Sequence, residues 1–213
     1  MESSGKLKSS SFQATKRLPL LCLLVLVGGT LVSCESPPLI LPTIQYNEPY
    51  RPIPIASRGR ASVYQFIRFF KETNPRIDTY YLTQLARAYI YEAEAEGINS
   101  DIAFCQMAHE TNYLRFGDNV RPEQNNFCGL GATNNGEPGF SFPSIEIGVR
   151  AHIQHLKAYA NARPLRKKLV DPRFDQVSRG QAPYVEYLSG TWATDPQYGV
   201  KLKRKLQALE KCL

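Results

Sequence analysis

The chain has 213 residues, 43% of them hydrophobic, and 26 lysines and arginines stand against 19 aspartates and glutamates, a formal charge of +7. That apolar fraction is too high for a disordered chain and too low for a polytopic membrane protein, and the length fits one domain with a tail. Five cysteines in 24.0 kDa are too few for a disulfide scaffold.

At the N-terminus Lys6, Lys8, Lys16 and Arg17 precede an uncharged, Leu/Val-rich run of 15 residues, 18–32. About 20 apolar residues are needed to cross a bilayer, so the run reads as the core of an export signal. It ends in Leu31-Val32-Ser33-Cys34, which resembles the lipobox of bacterial lipoproteins. The resemblance implies cleavage before Cys34, acylation of Cys34, and an anchor on a membrane facing the periplasm or the cell exterior. An ordinary cleaved signal with an incidental cysteine is the other reading. Loss of residues 1–33 removes four basic residues and Glu2, which leaves 22 basic and 18 acidic side chains, a formal +4. That does not argue for nucleic acid. The clusters Arg163/Arg166/Lys167/Lys168 and Lys201/Lys203/Arg204/Lys205 read as solvated helix faces, with attraction to an anionic wall or lipid head groups as the alternative. Residues 34–60 hold Pro37, Pro38, Pro42, Pro49, Pro52 and Pro54 without a helical period, the pattern of an extended tether. Cys105, Cys128 and Cys212 then remain for the folded part, and a Cys105–Cys128 bridge is one option.

From residue 61 to 213 the period is helical nearly everywhere. Helices are expected over 61–72, closed by Asn74-Pro75; over 78–96, stopped by Gly97; and from an Asn99 or Ser100 cap to about Leu114. A fourth covers 145–162 after Ser144, and a short fifth covers 182–188. The last starts from an Asp195 cap with Pro196 at its first position and runs to the C-terminus. Between the third and fourth helices, 116–143 is rich in glycine and asparagine, with a small β-hairpin expected around Phe140-Ser141-Phe142. The expectation is a mostly α domain with a small irregular or β insert between helices three and four.

The third helix carries the chemistry. Ile102, Ala103, Phe104, Cys105, Met107 and Ala108 make it apolar on almost every side, and Glu110 is its lone C-terminal carboxylate. The helical neighbours of Glu110 are Gln106, Met107, Tyr113 and Leu114, none of them a cation. Burial without a positive partner raises a carboxyl pKa, as a general acid requires; a helix-end glutamate pointing to water is the bland alternative. The asparagine-rich stretch that follows, and the later segment with Trp192 and Tyr198, are expected to close a cleft over it. No metal and no cofactor is expected: Tyr113 stands where HExxH needs its second histidine, and no further ligand pattern joins His152 and His155.

Ala108-His109-Glu110-Thr111, then Asn125-Asn126-Phe127-Cys128-Gly129-Leu130, then Trp192-Ala193-Thr194-Asp195-Pro196-Gln197-Tyr198 resemble, in order and spacing, the three signatures of the glucosaminidase family (glycoside hydrolase family 73). The resemblance covers about 77–210. It implies a lysozyme-like fold, cleavage of the β-1,4 bond after N-acetylglucosamine in peptidoglycan, Glu110 as catalytic acid and Tyr198 as the tyrosine of the catalytic centre. Gln106, Asn126, Phe127, Gly129 and Trp192 are the expected substrate-binding residues. One departure stands out: the usual Glu-Ser-Gly is here Glu110-Thr111-Asn112. Glycosidases commonly use two carboxylates; Glu123, Glu137 and Glu146 are the candidates for a second, each of them reading first as a solvated surface residue, with Glu137 or Glu146 preferred as a base. The resemblance also allows a substrate-assisted route in which the sugar's acetamido group attacks and Tyr198 supports it. A lytic transglycosylase, a wall-binding module or a structural lipoprotein are the competing readings, although the Glu-Ser pair and Gly-Leu-Met-Gln of a transglycosylase are missing. The oligomeric state is left open.

Overall fold

A computed structural model of the chain describes residues 51–117, 120–132 and 138–213. Cys34, the export signal, the tether up to residue 50 and Glu137 therefore lie outside the described residues.

The fold is mostly helical, with five α-helices among the described residues and no β-strand longer than an isolated bridge. α1 (Val63–Thr73) begins at Ser62, whose hydroxyl accepts from the Gln65 amide while the Gln65 side chain accepts from the Ser62 amide. That reciprocal cap satisfies two donors the helix cannot satisfy itself. α2 (Thr79–Glu96) is capped by Asp78 and stopped by Gly97 at φ +71°. α3 (Ser100–Glu110) is capped by Asn99, α4 (Ile145–Ala160) by Ser144, and α5 (Tyr198–Glu210) is last. Single 3₁₀ turns cover Pro122–Gln124, Phe174–Gln176 and Val185–Leu188.

α3 runs through the centre: its residues from Ser100 to Ala108 are all buried. Phe104 stacks on Phe66 at 4.1 Å between ring centroids and meets Phe70 and Tyr89 edge-on, joining α3 to α1 and α2. α2 and α4 make the most extensive helix contact. Buried Glu92 receives Arg150 at 3.0 and 3.1 Å and Lys167 at 2.8 Å, while buried Glu96 receives Lys157 at 2.6 Å and the amides of Arg166 and Lys167. Buried ion pairs add little net stability, but these fix the chain after α4 in the path that leads to Asp171 and Arg173. Cys105 belongs to the main core and Cys128 to a smaller cluster with Leu130, Phe142 and Ala151; both are free thiols, so the bridge between them is not formed.

The structure departs from the sequence-based expectation in five places. Residues 53–60, which the proline count assigns to the tether, lie along the helical body. Ile55 is fully buried, its amide donates to Pro183 O at 3.0 Å, and the Asp101 carboxylate accepts from the amides of Arg60 and Ala61. Residues 182–188 form only a 3₁₀ turn because their amides go to neighbours: Ala182 donates to Tyr159 O and Val185 to Ile53 O, each at 2.9 Å. The last helix starts at Tyr198. Asp195 instead accepts from the Gln197 amide at 2.8 Å and pairs with Lys201 at 2.6 Å, a turn that takes up Pro196 before the helix begins. No hairpin forms at 140–142: Phe140 donates to Leu130 O and Phe142 to Gln124 O, single bonds to two different parts of the insert.

The fifth departure shapes the site. The third helix stops at Glu110, four residues short of Leu114. Thr111 Oγ1 donates to Met107 O at 2.7 Å and accepts from Leu114 N at 2.9 Å, and Asn112, Tyr113 and Leu114 turn left-handed at φ 47°, 57° and 59°. Asn74 Nδ2 donates to Tyr113 O at 2.9 Å and Arg115 Nη2 to Thr73 O at 2.6 Å, tying the turn to the end of α1. Asn112, where the family pattern has glycine, is the first left-handed residue, and asparagine is among the side chains that tolerate this region best. Asn112→Gly should therefore leave stability unchanged or slightly higher. Asn112→Val should lose about 1–2 kcal/mol, read as a lower urea midpoint at constant slope; equal midpoints for the two variants would mean the left-handed turn is not held in solution.

Candidate active site

The insert after α3 is docked onto α4 through Gly148. A Cβ at Gly148 would lie 1.8 Å from Asn125 O, so only glycine permits the approach. The buried Asn126 side chain then closes the loop on itself. Its Nδ2 donates to Leu130 O at 2.9 Å and Phe140 O at 3.0 Å, and its Oδ1 accepts from Leu130 N at 3.0 Å. Phe127 is fully buried with its ring 6.4 Å from that of Tyr89. Phe127, expected to touch substrate, builds the wall instead, while Asn126 holds the loop and, with Gly129, lines the cleft.

That cleft, about 250 Å³, lies between the wall and the left-handed turn, with Glu110, Phe116, Gly129 and Ala132 around it. A second hollow of about 270 Å³ shares Gly129 and Ala132 with it and has Trp192 on its side. Among the described residues, Glu110 is the one carboxylate lining either space. Glu146 sits exposed in the first turn of α4, held below the usual carboxylate range by its own backbone amide and the Ser144 hydroxyl, and lines neither. A larger hollow of about 390 Å³ lies on residues 57–61 and the α2–α3 corner, where its acidic residue, Glu94, faces Arg58 at 3.9 Å. It brings no acid near a donor pair.

Glu110 keeps solvent access at the cleft while protein packs closely around its carboxylate. Burial raises its pKa, and the hydrogen bonds from Tyr198 and Trp192, which act the other way, do not cancel the rise. Both donors go to one atom: Trp192 Nε1 donates to Glu110 Oε1 at 3.0 Å, and the Tyr198 hydroxyl donates to the same oxygen. A proton on Glu110 therefore belongs on Oε2, the oxygen without a partner among the described residues.

Behind Tyr198 a chain of hydrogen bonds runs into the core. Gln106 Nε2 donates to Tyr198 Oη at 2.9 Å, Gln106 Oε1 faces His152 Nε2 at 3.0 Å, and Tyr89 Oη faces His152 Nδ1 at 2.8 Å. Burial lowers the His152 pKa to about 3, with a further push from His155, so the ring is neutral and carries one proton. With Glu110 ionised, one direction satisfies every atom: Tyr89 donates to His152, His152 Nε2 to Gln106, Gln106 to Tyr198 and Tyr198 to Glu110. Gln106, expected to bind substrate, is fully buried and serves this chain. Sequence spacing missed His152 and Tyr89 because their link to α3 is purely tertiary. His155, the other histidine of α4, pairs through Nδ1 with the Asp171 carboxylate, whose Oδ2 accepts at 2.8 Å. Both histidines are thus committed to protein partners.

A family model described as mannosyl-glycoprotein endo-beta-N-acetylglucosaminidase matches residues 86–211, a span that holds Tyr89, Gln106, Glu110, His152, Trp192 and Tyr198. An uncharacterised protein of Borreliella burgdorferi is 46% identical over 163 residues, covering 76% of this chain and 79% of the relative.

Proposed function

This chain belongs to the glucosaminidase family of glycoside hydrolases, and from that premise we propose that it hydrolyses the β-1,4 bond following N-acetylglucosamine in peptidoglycan strands. The reading is carried by Glu110: a carboxylate with a raised pKa on a cleft, with Oε1 anchored by two donors and Oε2 open. Oε2 gives its proton to the glycosidic oxygen as the C1–O bond breaks, and the Glu110 charge that results is held by Tyr198 and Trp192. The carbonyl oxygen of the sugar's own acetamido group closes on C1. Water then opens that ring, giving its proton to Glu110. Glu110 being the only carboxylate lining the cleft among the described residues supports this substrate-assisted route over one with Glu146 as base; Glu137 lies outside those residues. Tyr198 acts here on Glu110 and not on the acetamido group, since its single hydroxyl proton is already donated.

The test is digestion of purified peptidoglycan, borohydride reduction of the new ends and mass spectrometry. N-acetylglucosaminitol ends are expected. N-acetylmuramitol ends would overturn the bond assignment, and anhydro ends would make the protein a transglycosylase.

We also propose that the protein acts from a membrane surface in the cell envelope, through acylated Cys34. The support is the Leu31-Val32-Ser33-Cys34 ending after the apolar run. Two or more acyl chains anchor far more firmly than one, at about 0.8 kcal/mol per buried CH₂. Cys34→Ser should abolish lipid labelling and release the protein from membranes; a variant that stays with the membranes after carbonate washing would refute the anchor.

A further inference from the structure

The hollow on the other side of Trp192 holds a cation that no carboxylate neutralises. Arg173 lines it, and among the described residues no ion pair involves Arg173. Its place is nevertheless fixed. Its amide donates to Asp171 Oδ1 at 2.9 Å and its Nε donates to Gln176 Oε1 at 3.1 Å, which leaves the two Nη groups to offer. Asp171 is buried, and its other oxygen faces His155 Nδ1 at 2.8 Å, so that His155 presents Nε2 from the far edge of its ring. His155 lines the same hollow and packs its ring against Trp192 at 5.1 Å. The contrast with Arg150, Lys157 and Lys167 is chemical: each of those cations is matched to Glu92 or Glu96. A guanidinium held by a neutral amide keeps its full charge, and its free edge fits a carboxylate with two parallel bonds.

Resting on the peptidoglycan reading, we propose that this hollow is a subsite for a carboxylate carried by the substrate, with Arg173 as its ligand. The muramic acid next to the scissile bond of a peptidoglycan strand carries the stem peptide in amide linkage on its lactyl group, so the carboxylates near that bond are those of the stem peptide; the lactyl carboxylate is free only where the peptide has been removed. Trp192 bonds Glu110 with its ring nitrogen and lines the hollow with its ring, while Gly129 and Ala132 border both spaces. The acidic substituent is thereby read beside the sugar on which the acid acts.

The test pairs the full-length protein and Arg173→Gln with soluble peptidoglycan strands that are untreated, carbodiimide-amidated, or stripped of peptide by an amidase, which frees the lactyl carboxylate. A charged hydrogen bond is worth about 1.5–3 kcal/mol, so Arg173→Gln should lose about 10- to 100-fold in kcat/KM on untreated strands, mostly through KM. Amidation should cost the unaltered protein a similar factor and leave Arg173→Gln nearly unaffected. If the loss vanishes on stripped strands the ligand lies in the stem peptide, and if it persists there the newly freed lactyl carboxylate also occupies the subsite. Equal sensitivity of both proteins to amidation, or unchanged KM in the variant, overturns the subsite while the hydrolase reading stands. Failure of the unaltered protein to cleave any of the three strands would instead refute the hydrolase reading, and the subsite with it. Arg173→Lys, which keeps the charge but not the paired geometry, should fall between the two; full loss in Arg173→Lys with a lowered melting temperature would assign Arg173 to the fold.

Discussion

Glu110→Gln should lower kcat on peptidoglycan by about 10²–10⁴-fold or more, the usual worth of a general acid, with the helical fold intact. Glutamine is a close test here because Oε1 can still accept from both Trp192 and Tyr198. Only the group at the Oε2 position changes, from one that can release a proton to one that cannot. KM should change little, since the lost interaction is made as the bond breaks. Stability supplies an independent readout. Burial raises the Glu110 pKa in the folded state, so the stability linked to its protonation is complete below the ordinary glutamate pKa and lost as pH rises through the raised one. Glutamine does not titrate. The variant should therefore melt above the unaltered protein at neutral pH, and the gap should close on acidification. Near-normal digestion by folded Glu110→Gln would remove Glu110 from the mechanism altogether.

Much of this site was legible in the sequence because Glu110 breaks a rule that local composition enforces. A helix apolar on nearly all sides has to be buried, and a carboxylate at its end with no cation one turn away either points to water or has a raised pKa; the later segment with Trp192 and Tyr198 decides between them. α2 was equally legible, since Asp78 and Gly97 mark both ends by capping chemistry alone. The end of α3 was not. Tyr113 and Leu114 continue the apolar period, and the helix stops only because Thr111 turns its hydroxyl to Met107 O and Leu114 N and because Asn74 and Arg115 tie the turn to α1. Those bonds span up to 42 residues. Gln106 and Phe127 are both fully buried rather than turned to the cleft, because sequence gives neighbours along the chain but not which of them looks into a cleft. The partner that turns Gln106 inward, His152, is 46 residues away.

Tyr198→Phe separates the two roles open to that tyrosine. The ring stays against His109, at 5.3 Å between centroids, and only the hydroxyl is lost. Glu110 then keeps one donor, Trp192, and Gln106 Nε2 is left buried without its acceptor, which costs about 1–3 kcal/mol of stability. A hydrogen bond to a charged group is worth about 1.5–3 kcal/mol, so kcat should fall about 10- to 100-fold, with KM nearly unchanged because the hydroxyl does not face the sugar. The pH profile tells positioning from packing. Loss of a donor that lowers the Glu110 pKa moves the basic limb of kcat/KM to higher pH, and an unmoved limb would reduce Tyr198 to a structural residue. The product anomer then decides what attacks C1. If the acetamido group takes part, configuration is retained through two inversions, and NMR of fresh digests should show β-N-acetylglucosamine ends first. Glu137→Gln and Glu146→Gln should each cost less than Tyr198→Phe. An α anomer appearing first would require a carboxylate that activates water, leaving Glu110 as the acid and making one of those two glutamates its partner.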